Sequence, residues 1–145
     1  MKRLFDITLS SIGILLSFPF WLLFALLIWF EDRGPVFYTQ ERVGKDGKFF
    51  KVLKFRSMIK DAEKESGPVQ AQQNDPRVTR VGKILRSMAM DELPQLINIL
   101  KGDMSFVGPR ALRPAEREVN FDPKRKPFHL LPGYRERHSV RPGLT

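Results

Sequence analysis

At 145 residues the chain has room for one domain with a small core. It contains no cysteine, which excludes a disulfide framework and a thiolate metal site. The formal charge of +9 is unevenly placed: residues 1–33 carry three basic and three acidic side chains, residues 34–109 carry 13 against 9, and residues 110–145 carry 9 against 4. All the excess positive charge belongs to the polar body, which suits a polyanionic partner such as anionic lipid, a phosphate-bearing substrate or nucleic acid.

The first element is apolar. No charge stands between Asp6 and Glu31, and the 24 residues from Ile7 to Phe30 are dominated by Leu, Ile, Phe and Trp. As a straight helix they would reach about 36 Å, enough for a hydrocarbon core of about 30 Å. Lys2 and Arg3 would serve as the start of a signal peptide, but the run is long and no small-x-small cleavage site precedes Glu31, so a permanent anchor is expected. Pro19 sits mid-segment, where it removes a backbone hydrogen bond and crowds the preceding turn. Ser17 could satisfy a carbonyl freed there. Lys2 and Arg3 ask for a cytoplasmic amino end, and the basic body after Arg33 asks for the same side. A hairpin of two helices broken at Ser17 and Pro19 meets both demands, whereas a kinked span meets one. The residues alone leave both topologies open.

Gly34-Pro35 ends the helix. Val36 to Thr39 reads as a short strand, Gly44-Lys45-Asp46-Gly47 as a turn, and Phe49 to Phe55 as the returning strand of a hairpin. Lys48, Lys51, Lys54 and Arg56 are expected to form its basic face. Ser57 to Glu65 can form a short polar helix, followed by a loop over 67–76. Val81, Ile84, Leu85 and Met88 recur at helical spacing, with Arg80, Lys83 and Arg86 on the other side. A second helix is expected from Leu93 to Leu100, closed by Gly102. Basic amphipathic helices beside an anchor either lie in the membrane interface or pack on a small core. Gly108-Pro109 reads as a turn before Arg110. Beyond it the chain is rich in Pro and Arg, and His129 and His138 are too isolated to suggest a metal centre.

Between the two helices stands Met90-Asp91-Glu92-Leu93-Pro94-Gln95. Proline is tolerated in a first turn, which puts Asp91 and Glu92 at or just before a helix N-terminus, where the dipole and free amides stabilise negative charge. A carboxylate so placed either caps the helix or is available to bind a divalent metal or attack an electrophile. Arg86 lies five residues earlier, and with Lys54, Arg56 and Arg110 it could hold phosphate groups near such a nucleophile. A carboxylate needs that neutralising charge, because it and a phosphate ester repel each other. Mg2+ would do the same work. Nothing in the chain matches a P-loop, a dinucleotide fingerprint, a zinc site or a serine triad.

The chain resembles the bacterial sugar transferases, the monotopic phosphoglycosyl transferases. The resemblance is carried by Lys2-Arg3-Leu4-Phe5-Asp6, Gly34-Pro35-Val36-Phe37-Tyr38, Gln40-Glu41-Arg42-Val43-Gly44, Lys54-Phe55-Arg56-Ser57-Met58, Asp91-Glu92-Leu93-Pro94-Gln95, Gly102-Asp103-Met104-Ser105, Val107-Gly108-Pro109-Arg110 and Arg141-Pro142-Gly143-Leu144-Thr145. Each is weak alone; their order and spacing are specific. The resemblance implies transfer of a sugar 1-phosphate from a UDP-sugar to polyprenyl (undecaprenyl) phosphate, giving a polyprenyl diphosphate sugar and UMP. It implies Asp91 as nucleophile and Mg2+ ligand, Glu92 as its acidic partner, and Lys54, Arg56, Arg86 and Arg110 as phosphate contacts.

The implied fold class is α+β, mostly helical. It is a monotopic membrane protein with an N-terminal re-entrant helix-break-helix over 1–33 and a catalytic domain over 34–145 on the cytoplasmic face of the bacterial inner membrane, built on a short β-hairpin and interfacial amphipathic helices. The family's break is a Ser-Pro pair, whereas here Phe18 precedes Pro19 and the hydroxyl is displaced to Ser17. In the family the Pro-Gly-Leu/Ile-Thr stretch continues into residues that finish the domain, so a chain ending at Thr145 is expected to lack them. Implied partners are inner-membrane lipid, the polyprenyl phosphate acceptor and the UDP-sugar donor; a homo-oligomer stays open and no nucleic acid is expected. The competing class is a membrane-anchored basic module that binds anionic lipid or nucleic acid without catalysis, which would leave Asp91 and Glu92 idle.

Overall fold

The structure, a computed structural model, describes residues 1–62, 75–114 and 132–144. Helix α1 runs Lys2–Asp32, 31 residues, and ends at Arg33, whose left-handed backbone (φ 51°) lets its N–H bond Trp29 O. Its burial is inverted relative to a soluble helix. Asp6, Ser10, Trp21, Phe24 and Ile28 fall on one buried stripe, while Leu15, Leu16, Phe18, Leu22, Leu23 and Leu26 are exposed. Only 17% of its most apolar window is buried, whereas the core helix of a soluble protein would be mostly covered. Polar residues inward and leucines outward fit a helix whose outer face meets lipid.

Both ends of α1 are held by the polar body. Lys2 Nζ donates to Val107 O at 2.9 Å, and the Arg3 guanidinium donates to Ile99 O and Leu100 O, each at 2.6 Å. At the far end the Glu31 carboxylate accepts from Arg80 N at 2.7 Å and Val81 N at 3.1 Å, and Asp32 pairs with Arg56. A straight span would carry these ends about 45 Å apart to opposite faces of a bilayer. One body touching both ends is compatible with monotopic anchoring.

At Pro19, where the helix break is expected, α1 carries the proline inside one helical run, Lys2–Asp32. Proline removes one donor, and the flanking turns keep their own bonds. Ser17 does not rescue the carbonyl of Leu15 that Pro19 strips. Its hydroxyl leans on Ile14 O at 3.4 Å and accepts from Trp21 Nε1 at 2.9 Å.

The hairpin forms as the turn signal requires. Strands β1 (Phe37–Val43) and β2 (Phe49–Phe55) pair antiparallel, from Phe37 opposite Phe55 to Val43 opposite Phe49. A 3-10 turn, Lys45–Gly47, joins them, with Asp46 and Gly47 at φ 57° and 73°. The single basic face does not form, because strand side chains alternate: Lys54 and Lys51 take opposite sides of β2, and Arg56, beyond the strand, pairs with Asp32. Phe55 enters a core with Trp21, Phe24, Ile28 and Leu85, its ring edge-on to Trp21 at 5.7 Å and to Phe24 at 5.9 Å. Val52, Leu96, Ile99 and Met104 form a second cluster.

No helix occurs over the described part of the expected 57–65 element. Met58 instead bridges to Val78, and Ser57 O accepts from Thr79 N at 3.2 Å. Residues 63–65 and the loop from 67 to 74 lie outside the described residues. Helix α2 (Arg80–Ser87) is capped by Thr79, whose side chain accepts from Gly82 N. Gly82 is needed there: a Cβ would stand 2.0 Å from Ser57 O.

Helix α3 spans Gln95–Lys101, starting two residues later than expected because a 3-10 turn, Met90–Glu92, precedes it. Gly102 closes it at φ 99°. Of the two helices expected at the interface, α3 packs into the core through Leu96 and Ile99, while α2 exposes Ile84 and Met88 beside Arg80 and Lys83.

Where a Gly-Pro turn was expected, a strand stands: β3 (Ser105–Arg110). It takes the terminal segment alongside, with Ser105 N donating to Pro142 O at 2.9 Å and Leu144 N to Ser105 O at 3.1 Å. Gly108 and Gly143 allow this approach, since a Cβ on Gly108 would lie 2.3 Å from Arg141 O. A short helix, α4 (Tyr134–Arg137), leads into His138, a buried residue whose Nδ1 lies 2.7 Å from Tyr134 O. His129 lies outside the described residues.

Candidate active site

The turn between α2 and α3 delivers the acidic pair. Ala89, at φ 54°, reverses the chain after α2 in a conformation that costs a non-glycine residue about 1 kcal/mol. The 3-10 turn that follows places Asp91 inward, 8% exposed, and leaves Glu92 at the edge. Strand β2 meets this turn, and Lys54 Nζ lies 2.6 Å from Glu92 Oε1.

Among the described residues no side chain hydrogen-bonds the Asp91 carboxylate. Burial pushes its pKa above the ordinary 3.8; Lys54 pulls it back, the Glu92 charge pushes it up, and Arg86 and its own backbone amide pull it down. It is thus a largely buried carboxylate between two cations and one anion, bonded by its own backbone amide and by no described side chain.

A cavity of about 230 Å³ opens beside this turn. Of the residues singled out from the sequence, Lys54, Glu92 and Arg110 line it. Asp91 does not border it and is placed by its electrostatic contact with Lys54, Glu92 and Arg86. Arg86 is exposed on α2, its Nε donating to Ser57 Oγ at 2.8 Å. Arg56 is elsewhere: it is buried at the foot of α1, paired with Asp32 and pressed against Gly34, with Nε and Nη1 unpartnered. Its guanidinium serves the exit of the membrane helix, not the cavity wall. Ser17 and Pro19 lie in α1, remote from this turn in sequence.

Besides Val52, Met104 and Ala111, three contributors to the wall were not singled out from the sequence. Arg42, at the end of β1, donates to Ala111 O at 3.0 Å and to Gln40 Oε1 at 2.8 Å while facing the cavity. Gln95 and the Gly143-Leu144 segment complete it. Arg42 stands in a motif of the resemblance, so a signal existed. Gly143-Leu144 reaches the site through long-range pairing of Gly143 with Ser105 and Arg110, which no local pattern reveals.

Chemically the wall offers donors from Arg42, Lys54 and Arg110, and carboxylate oxygens from the adjacent Asp91 and Glu92. Among the described residues no cluster of three or more His, Asp or Glu exists. Asp91 and Glu92 are two adjacent carboxylates, a donor set that fits Mg2+, which takes one or two carboxylates and completes its shell with water and substrate phosphates.

The sequence profile of a family described as bacterial sugar transferase matches residues 1–145. A Bacillus subtilis (strain 168) protein carrying the provisional name undecaprenyl-phosphate N-acetylgalactosaminyl 1-phosphate transferase is 50% identical over 137 residues, covering 94% of this chain and 72% of its own. The exopolysaccharide production protein PSS of Rhizobium leguminosarum bv. phaseoli is 47% identical over all of this chain and 70% of its own length. The UDP-glucose:undecaprenyl-phosphate glucose-1-phosphate transferase of Escherichia coli (strain K12) is 46% identical over all of this chain, which spans 30% of that longer protein.

Proposed function

The chain belongs to the bacterial sugar transferases, and from that premise we propose that it transfers a sugar 1-phosphate from a UDP-sugar to undecaprenyl phosphate at the cytoplasmic face of the inner membrane. The observation that carries this reading is Asp91: a buried carboxylate that no described side chain hydrogen-bonds, flanked by Lys54 and Arg86, beside a cavity walled with cations.

In the first step an Asp91 oxygen attacks the phosphorus bearing the sugar. The bridging P–O bond breaks, UMP leaves with its electron pair, and a covalent aspartyl phosphosugar remains. In the second step a phosphate oxygen of the polyprenyl acceptor attacks the same phosphorus, the bond to Asp91 breaks, and the carboxylate is restored. Lys54 and Arg110 offset the charge of the diphosphate so that a carboxylate can approach it. Asp91 and Glu92 would hold Mg2+, which supplies charge neutralisation on the phosphoryl oxygens.

The anchor fits this chemistry. A water-soluble donor and a lipid-borne acceptor must meet at one carboxylate, so the site has to stand at the membrane surface. In this reading α1 enters the bilayer with its leucine face in lipid and bends back at Pro19, where a backbone hydrogen bond is missing, both ends returning to the cytoplasmic side on the contacts of Arg3 and Glu31. The test is incubation with a panel of UDP-sugars, Mg2+ and undecaprenyl phosphate, with UMP measured. Release that is lost in Asp91→Asn, and a phosphosugar mass on the Asp91 peptide after donor alone, are the expected results. No UMP from any donor would sink the reading. Binding that falls steeply with salt and ignores Asp91 would instead favour the lipid- or nucleic-acid-binding module.

A further inference from the structure

The cavity contains one amide that the fold leaves without a partner. Gln95 is 3% exposed and stands three residues beyond Glu92 at the start of α3, so both side chains border the same cavity. It makes no side-chain hydrogen bond to any described residue. The next amide on α3 shows what a structural one does in this fold. Asn98 Oδ1 accepts from Leu53 N at 2.9 Å, and its Nδ2 donates to Lys51 O at 2.8 Å and Asp103 Oδ2 at 3.3 Å. Asn98 thereby completes the free edge of β2, while Gln95, one turn back and equally buried, completes nothing. Its amide is not among the fully enclosed unpartnered atoms, so it opens on the cavity that its residue lines rather than on a dry core.

We propose, on the transfer reading above, that Gln95 is a substrate-binding residue whose carboxamide hydrogen-bonds a sugar hydroxyl of the nucleotide sugar. The cavity separates the chemistry. Arg42, Lys54 and Arg110 only donate, which suits phosphoryl oxygens; Glu92 only accepts and already meets Lys54. An amide that donates and accepts at once matches a hydroxyl, which does the same, whereas a phosphoryl oxygen, which only accepts, would engage its N–H and leave its carbonyl oxygen unused. Hydroxyl-bearing rings flank the diphosphate on both sides, the hexose and the ribose. Either would bring a hydroxyl next to the phosphates held by the cations.

The experiment compares full-length wild type with Gln95→Leu, reconstituted in lipid. It measures affinity for UDP-glucose, UDP-N-acetylgalactosamine and UMP by titration calorimetry, and thermal unfolding without ligand. The Leu variant should unfold no earlier than wild type, since an unbonded amide has been replaced by an apolar group of similar size. Its affinity for the donor should fall about tenfold, the scale of one hydrogen bond to a buried partner. A loss confined to the UDP-sugar assigns the contact to the hexose, and an equal loss for UMP assigns it to the ribose. Unchanged affinity for all three, or a Leu variant that unfolds earlier or fails to fold, overturns the proposal, because the amide then served the scaffold. Wild type that binds donor without releasing UMP would sink the transfer reading and leave this comparison readable. Wild type that releases UMP while the variant binds as tightly would sink this inference alone.

Discussion

Asp6 and Asp91 are both buried acids, yet the fold treats them in opposite ways. Asp6, 1% exposed, lies on the inner stripe of α1, and one of its oxygens accepts from Ser105 Oγ at 3.0 Å and Phe106 N at 3.2 Å. Ser105 is in turn paired with Pro142 and Leu144, so this acid ties the membrane helix to β3 and to the segment that walls the cavity. Asp91, 8% exposed, receives no such donors from other described elements and is steadied by the charges of Lys54 and Arg86 and by its own backbone amide. Asp6 Oδ2 also lacks a partner, so the difference is that donors of β3 hold Asp6 to the scaffold, whereas Asp91 meets no donor from another described element and stands among charges beside a cavity, the setting of a reactive group.

That contrast breaks most sharply at Asp91. Asp91→Asn should lower UMP release by about 10³-fold or more, the scale of removing a covalent nucleophile, while the protein becomes more stable at neutral pH. The folded-state pKa is raised, so the folded protein holds this proton more tightly than the unfolded chain. The burial cost is fully present above the folded pKa and disappears as pH falls below the ordinary 3.8. The stability advantage of Asn over Asp in denaturant titrations should therefore shrink on acidification. A variant equally active, or less stable at neutral pH, would place Asp91 with the scaffold acids.

Asp6 should respond in the reverse sense. Asp6→Ala strands the Ser105 hydroxyl and the Phe106 amide in a dry interface, at a cost of about 2–4 kcal/mol. Asp6→Asn, which keeps an acceptor oxygen, should lose much less. Unfolding in detergent reads both, and specific activity of the Asn variant should stay near wild type. Lys54→Met sharpens the electrostatic half of the comparison. It removes the largest influence lowering the Asp91 pKa and leaves the Glu92 charge without its 2.6 Å partner. The acid limb of the activity profile should move to higher pH, with activity partly regained on raising pH; an unmoved limb would mean that another group sets it.

Much of this arrangement was legible in the sequence where the determinants were local. The Gly44-Lys45-Asp46-Gly47 turn gave the hairpin, helical spacing gave α2, and the uncharged run gave α1. What escaped depends on distant partners. Gly108-Pro109 reads as a turn until Gly143 offers a backbone close enough to make it part of a strand. Lys51 and Lys54 look alike as charges, and only the alternation of β2 sends one away from the cavity. Arg56 reads as a phosphate ligand until Asp32, 24 residues earlier, claims it. The acidic pair was visible as a motif, but its burial and the unpartnered Gln95 beside it were not, because both follow from how α3 seats against β2.

The smallest expected effect concerns the residue that aims Asp91. Ala89 holds a left-handed backbone at φ 54° between α2 and the acidic turn, where its N–H still reaches Arg86 O at 3.2 Å. Glycine adopts that region without the Cβ penalty, so Ala89→Gly should relieve strain of about 1 kcal/mol. Part of the gain is returned as the greater freedom of glycine in the unfolded chain. The net shift in unfolding midpoint should thus be small and stabilising. Activity is the more telling readout. If the turn conformation positions Asp91, glycine keeps that conformation and the rate holds, whereas Ala89→Val, β-branched and strained at positive φ, should lower both stability and rate. A Val variant that loses stability but not rate would show that the turn supports the fold without aiming the carboxylate.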